Sequence, residues 1–181
     1  MSEDGPSRDS EDSPQAMTLV AEVVRHGGTW DEAAVSDAAV ELAAHAAFAQ
    51  APPSVPAAYE ITVALTDDVE MRELNRTWRS KDEPTNVLSF PAGDAPGEEA
   101  MLGDVVIAYE TTEAEAVAAG ISLSDHVSHL VVHGVLHLLG FDHLDDAEAE
   151  QMEDLERKAL ASLGIADPYG REDEAGLAEV T

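Results

Sequence analysis

Residues 133–143 of this 181-residue chain read HGVLHLLGFDH, which places three histidines within eleven positions. On a helix, His133 and His137 are four residues apart, so they project from one face, one turn from each other. Gly140 can end this helix in a left-handed turn, a conformation that glycine adopts at little cost. The chain can then fold back and bring His143 to the same point. The stretch therefore predicts a helix and turn on which three imidazoles converge.

Three imidazoles of this kind form the ligand set of a zinc-like ion whose fourth position stays open for water, as in catalytic sites. A rival set of His129, His133 and His137 fails on geometry. The outer two Cα atoms would be about 12 Å apart. This is too far for one ion, because each ligand nitrogen must lie ~2 Å from it. The chain has no cysteine, so nitrogen and oxygen must supply the ligands. We expect one zinc-like ion per chain, held by His133, His137 and His143.

The composition is strongly acidic, with 38 Asp and Glu against nine Lys and Arg and a formal net charge of −29. This balance opposes nucleic-acid binding in general, because phosphate affinity comes mostly from Lys and Arg, and we expect no DNA partner. It also suggests adaptation to high salt, which screens self-repulsion. The sequence shows neither a transmembrane run nor a secretory signal, so we expect a cytoplasmic protein without a membrane partner.

Four of the nine cations fall within ten residues, as Arg72, Arg76, Arg79 and Lys81. The three arginines follow helical i, i+4, i+7 spacing and would form one stripe. One interpretation is a binding site for a local anion such as phosphate. The other is ordinary surface ion pairing with neighbouring carboxylates such as Glu73 and Asp82.

Hydrophobic periodicity and turn residues predict a single α+β domain, with a mixed sheet of about four strands and five to six helices. The predicted strands are residues 17–25, 59–65, 85–90 and 102–109, and the predicted helices are residues 30–50, 69–78, 111–119, 124–139 and 146–163. We expect Thr29 or Asp31 to cap the first helix and Ser124 to cap the histidine helix. The domain should span residues 17–163, between a disordered acidic N-terminal tail (1–16) and an acidic C-terminal tail (164–181).

The histidine spacing also occurs in metzincin zinc proteases, which makes a protease a remote alternative. Those enzymes place a glutamate directly after the first histidine, as the base that activates metal-bound water. This chain has Gly134 there. A metal beside an arginine suits a phosphodiester better, because a guanidinium can pair with the anionic phosphate in two-pronged geometry.

Three blocks of sequence resemble the YbeY family of bacterial rRNA maturation factors. They occur in the family's order within about residues 60–145, and they are residues 74–91 (LNRTWRSKDEPTNVLSFP), 102–107 (LGDVVI) and 133–143. Asn86 is a departure, since many members have Asp after the Pro-Thr pair. The resemblance implies a zinc ion on His133, His137 and His143, and it makes Arg79 the functional arginine beside the metal cleft.

The resemblance further implies a single-strand-specific endoribonuclease that matures the 3′ end of small-subunit (16S) rRNA and acts in late ribosome quality control. Its partners would be single-stranded RNA, the rRNA precursor and the small ribosomal subunit. The main alternative is a ribosome-assembly or RNA-binding factor whose zinc is structural. Attack by water and attack by an RNA 2′-hydroxyl both remain open.

Further candidate residues surround this proposed centre. Arg72, Arg76 and Lys81 are candidates for substrate phosphate binding beside the catalytic Arg79. Asp142 and His129 are candidates for orienting the metal ligands, since carboxylates commonly hold zinc-bound histidines. A turn-forming role for Asp142 is the alternative.

Overall fold

The computed structural model describes residues 16–93 and 99–170. Nearly all of the predicted N-terminal tail, and residues 171–181 of the predicted C-terminal tail, lie outside these ranges. The strands are β1 (Thr18–Arg25), β2 (Ala58–Thr66), β3 (Val87–Pro91) and β4 (Glu99–Ala108); the helices are α1 (Asp37–Gln50), α2 (Asp68–Arg79), α3 (Tyr109–Ala119), α4 (Leu123–Leu138) and α5 (Asp146–Ser162). The predicted α+β fold with a four-stranded mixed sheet is confirmed.

The sheet has the strand order β1-β2-β4-β3. β1, β2 and β4 run parallel, while β3 pairs antiparallel with β4, so β1 and β3 are the two edges of the sheet. Because no strand within the described ranges pairs with the outer side of β3, its outward backbone groups can meet other partners. This edge is the one that borders the histidines. Within the described ranges, no helix is both long and apolar enough to cross a lipid bilayer.

The two faces of the sheet are covered unequally. One face packs against α1 and α4, and α5 packs on these two helices. Together they form the main core, with Val63, Val105 and Ile107 fully buried at its centre. The opposite face is covered by α2, whose Met71 packs on a small cluster with Ala64, Val106 and Ala108. α2 covers only part of this second face, and a groove remains beside it.

Three predicted boundaries are wrong. α1 begins at Asp37 behind an N-cap at Ser36, not at Trp30. The Trp30 indole is buried and donates to the Thr66 carbonyl oxygen at 2.7 Å, so tertiary packing holds residues 29–34 in turns. α4 is capped by Ser122 and not by Ser124. β4 starts at Glu99, three residues before the predicted start at residue 102.

α4 approaches the sheet closely at Gly134. A Cβ atom built at this position would lie 2.6 Å from Cγ1 of Val105 and 3.2 Å from Oγ of Ser89. Val105 is fully buried and β-branched, so it cannot rotate away freely. Glycine at position 134 therefore sets how near the histidine helix lies to β4 and β3.

We expect Gly134→Ala to destabilise the protein although alanine is the better helix former. Overpacking a dense core costs about 1–3 kcal/mol, which exceeds the gain of about 1 kcal/mol from helix propensity. Urea unfolding of the two proteins measures the difference. Gly93→Ala is the matched control, because its added Cβ would meet no atom within 4 Å. A Gly134→Ala variant as stable as the parent would contradict the close packing.

Candidate metal centre and its cleft

The C-terminal end of α4 brings the three predicted ligands together. One ring nitrogen from each of His133, His137 and His143 lies within 4.8 Å of the other two. The turn that returns His143 forms at Gly140, whose φ of 98° is the predicted left-handed conformation. The Phe141 N–H closes this turn by donating to the Leu136 carbonyl oxygen at 3.1 Å.

The geometry of this cluster fits a single metal ion. The Nε2 atoms of His133 and His137 are 3.1 Å apart. Two nitrogens bound tetrahedrally to zinc at ~2.0–2.1 Å would be about 3.3 Å apart. Burial lowers the pKa of His137, and the neighbouring His133 and His143 lower it further. A lowered pKa favours the neutral imidazole, which is the form that binds metal.

Glu156 of α5 forms a hydrogen bond with His133, the first of these histidines. Its side chain is fully buried, and its Oε1 lies 2.5 Å from Nδ1 of His133. Burial raises the pKa of this carboxyl, but hydrogen bonds from His129, His133 and Tyr169 outweigh that effect and hold the pKa at about 2. An ionised Glu156 accepts from the Nδ1–H of His133, which leaves the Nε2 lone pair for the metal.

Sequence reasoning missed Glu156, although one signal was present. The inward face of α5 carries the apolar side chains of Met152, Leu155 and Leu160. Glu156 lies four residues after Met152 and four before Leu160, so it shares that apolar face. An acidic residue at such a position is rarely buried without a partner, and it therefore marks an internal polar contact.

The predicted orienting residue His129 lies outside the three-histidine cluster. Its Nε2 is 3.4 Å from Oε2 of Glu156 and 3.4 Å from the Tyr169 hydroxyl. The Tyr169 hydroxyl also donates to Glu156. His129 and Tyr169 thus contact Oε2 of Glu156, the carboxylate oxygen that does not contact His133. Residues beyond the predicted domain boundary at 163 take part in this network, because Tyr169 belongs to it.

The surroundings of Asp142 and Gly134 bear on two predictions: the role of Asp142 and the protease alternative. The Asp142 carboxylate accepts the backbone N–H of His143 at 2.8 Å, which is the contact expected of a turn-forming aspartate. Position 134 faces Val105 of β4, so the position that holds the protease glutamate in metzincins points into the core. No base for peptide hydrolysis can reach the metal from there.

Arg79 lies in the same cleft as the three histidines. The cleft has a volume of about 530 Å³, and the edge strand β3 forms one wall; it is lined by Arg79, Asn86, Val87, Leu88, Ser89, Pro91, His133, His137, Gly140, Phe141, Asp142 and His143. The Arg79 guanidinium donates to the Ser89 carbonyl oxygen at 3.0 Å, on the β3 edge. The fold therefore joins the predicted arginine to the predicted ligands.

The other predicted phosphate-binding cations have different surroundings. Arg72 forms a two-pronged pair with Asp82, at 2.8 and 3.0 Å. Arg76 pairs with Glu73 at 2.6 Å. These are the ion pairs of the alternative interpretation. Lys81 is exposed and lines a smaller pocket of about 280 Å³ that also touches Arg79.

Asn86, the departure noted in the sequence, fixes the start of β3. Its side-chain oxygen accepts the Val87 N–H at 2.7 Å, and its amide nitrogen donates to Glu115 of α3 at 3.0 Å. Glu115 also contacts Nε2 of His126 at 2.7 Å. A carboxylate at position 86 would face Glu115, so the amide avoids a like-charge contact.

Comparison with known proteins settles the relationship that these features suggest. The profile of the family described as Endoribonuclease YbeY matches residues 29–164, which include the cleft and all three histidines. The chain belongs to the YbeY family. An Endoribonuclease YbeY from Paramagnetospirillum magneticum is 51% identical over 150 residues, covering 79% of this chain and 91% of the relative.

Other YbeY relatives extend this likeness. An Endoribonuclease YbeY from Rhodopseudomonas palustris is 50% identical over 157 residues, covering 84% of this chain and 93% of the relative. The solution structure of TM1509 from Thermotoga maritima superposes with a TM-score of 0.52 at 19% identity, covering 82% of this chain and 98% of that one. At this identity the superposition shows a shared fold.

Proposed function

We propose that this chain is a zinc-dependent endoribonuclease that cleaves single-stranded RNA. The observation that carries the proposal is the cleft in which Arg79 meets the convergent His133, His137 and His143. The printed name of its YbeY relatives, Endoribonuclease, supports the same activity. We further propose that its substrate is the 3′ end of the small-subunit rRNA precursor, met on the small ribosomal subunit in the cytoplasm.

Each side chain of the cleft has a distinct task in this proposal. The three histidines would hold the ion, and Glu156 fixes the ring of His133. A zinc ion held there would supply Lewis-acid chemistry for attack on the scissile phosphate. Arg79 pairs with the scissile phosphate through its fixed fork of N–H donors. With a net charge of −29, the protein offers the RNA backbone few such contacts, so Arg79 decides where the phosphate rests.

The alternative of an assembly factor with a structural zinc is not favoured. Structural zinc sites are closed by four protein ligands. Among the residues that the structure describes, the cluster here has three, and all of them face an open cleft. An open position beside an arginine is the arrangement of a site that acts on a substrate.

Metal removal and Arg79→Ala together test the proposed activity. We expect chelation to abolish cleavage of single-stranded RNA and added zinc to restore it. Arg79→Ala should lower kcat/KM about 10- to 100-fold, because one charge-assisted phosphate contact is lost. Lys158→Ala removes the same charge from an exposed position on α5 and should leave the rate unchanged. The rates are measured across a series of KCl concentrations, since salt screens the acidic surface.

Chelator-resistant cleavage, or equal rates for Arg79→Ala and the parent, would contradict the proposal. Metal analysis of the purified protein addresses the identity of the ion directly. We expect one zinc per chain. A different metal that supports full activity would replace zinc in the scheme without changing the role of the histidines.

A further inference from the structure

The groove left open beside α2 has a volume of about 770 Å³. Its floor is the second face of the sheet, where Val24, Ala64 and Val106 present small apolar side chains. α2 forms one wall with Leu74 and Trp78. The groove is thus an apolar slot beside an exposed aromatic ring, and nothing in the metal centre requires it.

Trp78 stands out among the aromatic side chains of this protein. It is 65% exposed, and every other Phe, Tyr and Trp in the described ranges is buried or half-buried. Its ring meets Phe90 edge to face at a centroid distance of 6.2 Å. The Arg79 guanidinium lies over the same Phe90 ring at 5.8 Å. Phe90 therefore holds Trp78 and Arg79 side by side, with most of the indole left open to solvent.

The groove and the metal cleft adjoin each other at the β3 edge. Arg79, Ser89 and Pro91 line both, so a ligand that crosses this edge can occupy the two cavities together. A ligand that spans them must offer an anionic group to the metal cleft and a flat apolar group to the groove. A nucleotide unit of single-stranded RNA has both.

The charges in the groove show which part of a nucleotide it accepts. Glu70 and Asp104 line it, and Arg79 at its end is the only Lys or Arg that does so in the described chain. Two carboxylates repel a phosphate but accept hydrogen bonds from base N–H groups. Glu70 already contacts Thr66 and His26, whereas the exposed Asp104 carboxylate has no hydrogen bond within the described residues. The groove therefore suits a base and not a phosphate.

We propose that the groove is a base-binding subsite, in which Trp78 stacks on an unpaired RNA base while Arg79 directs the adjoining phosphate into the metal cleft. This rests on the proposed endoribonuclease function. Stacking on an aromatic ring is available only to a base that is free of a duplex. The subsite thus gives the enzyme a physical means of choosing single strands, although its surface is too acidic for strong backbone binding.

Trp78→Ala tests the subsite. The probe is a short 2′-O-methyl RNA, compared with the same strand made abasic at each position in turn, bound to the metal-loaded full chain. We expect the intact strand to bind the parent about 10- to 100-fold more tightly than one of the abasic strands, the value for stacking of a single base. Trp78→Ala should remove that difference. It should also raise KM for cleavable RNA more than it lowers kcat.

The controls separate stacking from folding. Val69→Ala removes an apolar side chain that is 75% exposed on the same helix and does not line the groove, so it should bind as the parent does. Trp78→Phe keeps a ring and should recover part of the discrimination. Unfolding in urea shows whether each variant is intact.

Three results would overturn the subsite: equal binding of intact and abasic strands by the parent, unchanged discrimination in Trp78→Ala, or no RNA binding at any salt concentration. Different results would overturn the proposed activity. If chelation leaves RNA cleavage unchanged, the proposed metal-dependent activity of the histidine cleft is wrong whatever Trp78 does. If chelation abolishes cleavage and Trp78→Ala behaves as the parent, only the subsite is wrong.

Discussion

His137→Ala is expected to abolish tight metal binding and RNA cleavage while the protein remains folded. A structural zinc site with four ligands is worth roughly 10–16 kcal/mol, so one ligand contributes about 2.5–4 kcal/mol on an even division. Its loss weakens metal binding on the order of 10²- to 10³-fold. The fold should persist, because His137 is only partly buried and lies outside the main apolar core.

The measurement pairs metal affinity with cleavage and unfolding in the same preparations. Affinity follows from competition with a zinc-binding dye, and stability follows from urea unfolding of the chelated proteins. His45→Ala, on α1 and outside the three-histidine cluster, is the matched control. Retained cleavage in His137→Ala at background metal content would show that turnover does not pass through this centre.

Glu156→Gln is expected to weaken metal binding about 10- to 100-fold, the usual effect of losing a partner that orients a metal-bound histidine. An amide cannot supply the negative charge that favours the His133 Nδ1–H tautomer. Its NH₂ group can instead donate to Nδ1, which places the proton on Nε2, where the metal should bind. Zinc titration of the variant beside the parent measures the change.

Glu156→Ala separates orientation of the ligand from stability of the fold. Removing the buried carboxylate leaves His129, His133 and Tyr169 without their shared acceptor, and we expect a loss of about 2–4 kcal/mol in the free energy of unfolding. Glu153→Gln alters a more exposed carboxylate on the same helix, paired with Arg157, and should change neither property. A Glu156→Gln protein that binds zinc as tightly as the parent would show that Glu156 serves packing alone.

Local patterns predicted the centre well because its ligands are close in sequence. The four-residue spacing of His133 and His137 and the turn at Gly140 are short-range features that the structure confirms. The four strands and five helices also follow from short-range periodicity. Such features can be predicted without knowing which helices and strands contact one another.

Long-range contacts account for what the sequence did not predict. The local sequence predicts a helix that starts at Trp30. The hydrogen bond from Trp30 to Thr66, 36 residues away, instead holds Trp30 in a turn. Glu156 lies among acidic neighbours on α5, and only the packing of α5 on α4 makes it the partner of His133. Arg72 and Arg79 share one helical stripe, but the positions of Asp82 and β3 give them different partners. No spacing rule contains that information.

The last described turn of the chain contributes to the histidine site through the hydroxyl of Tyr169, although it lies beyond the end of the family match. The family match ends at residue 164, and a shortened protein designed to that limit would keep all three histidines and Arg79. It would nevertheless lack the hydroxyl that completes the set of hydrogen bonds on Glu156. Anyone who trims the acidic C-terminus for crystallisation should cut after Gly170, because a shorter version can crystallise well and still have a weakened metal-binding site.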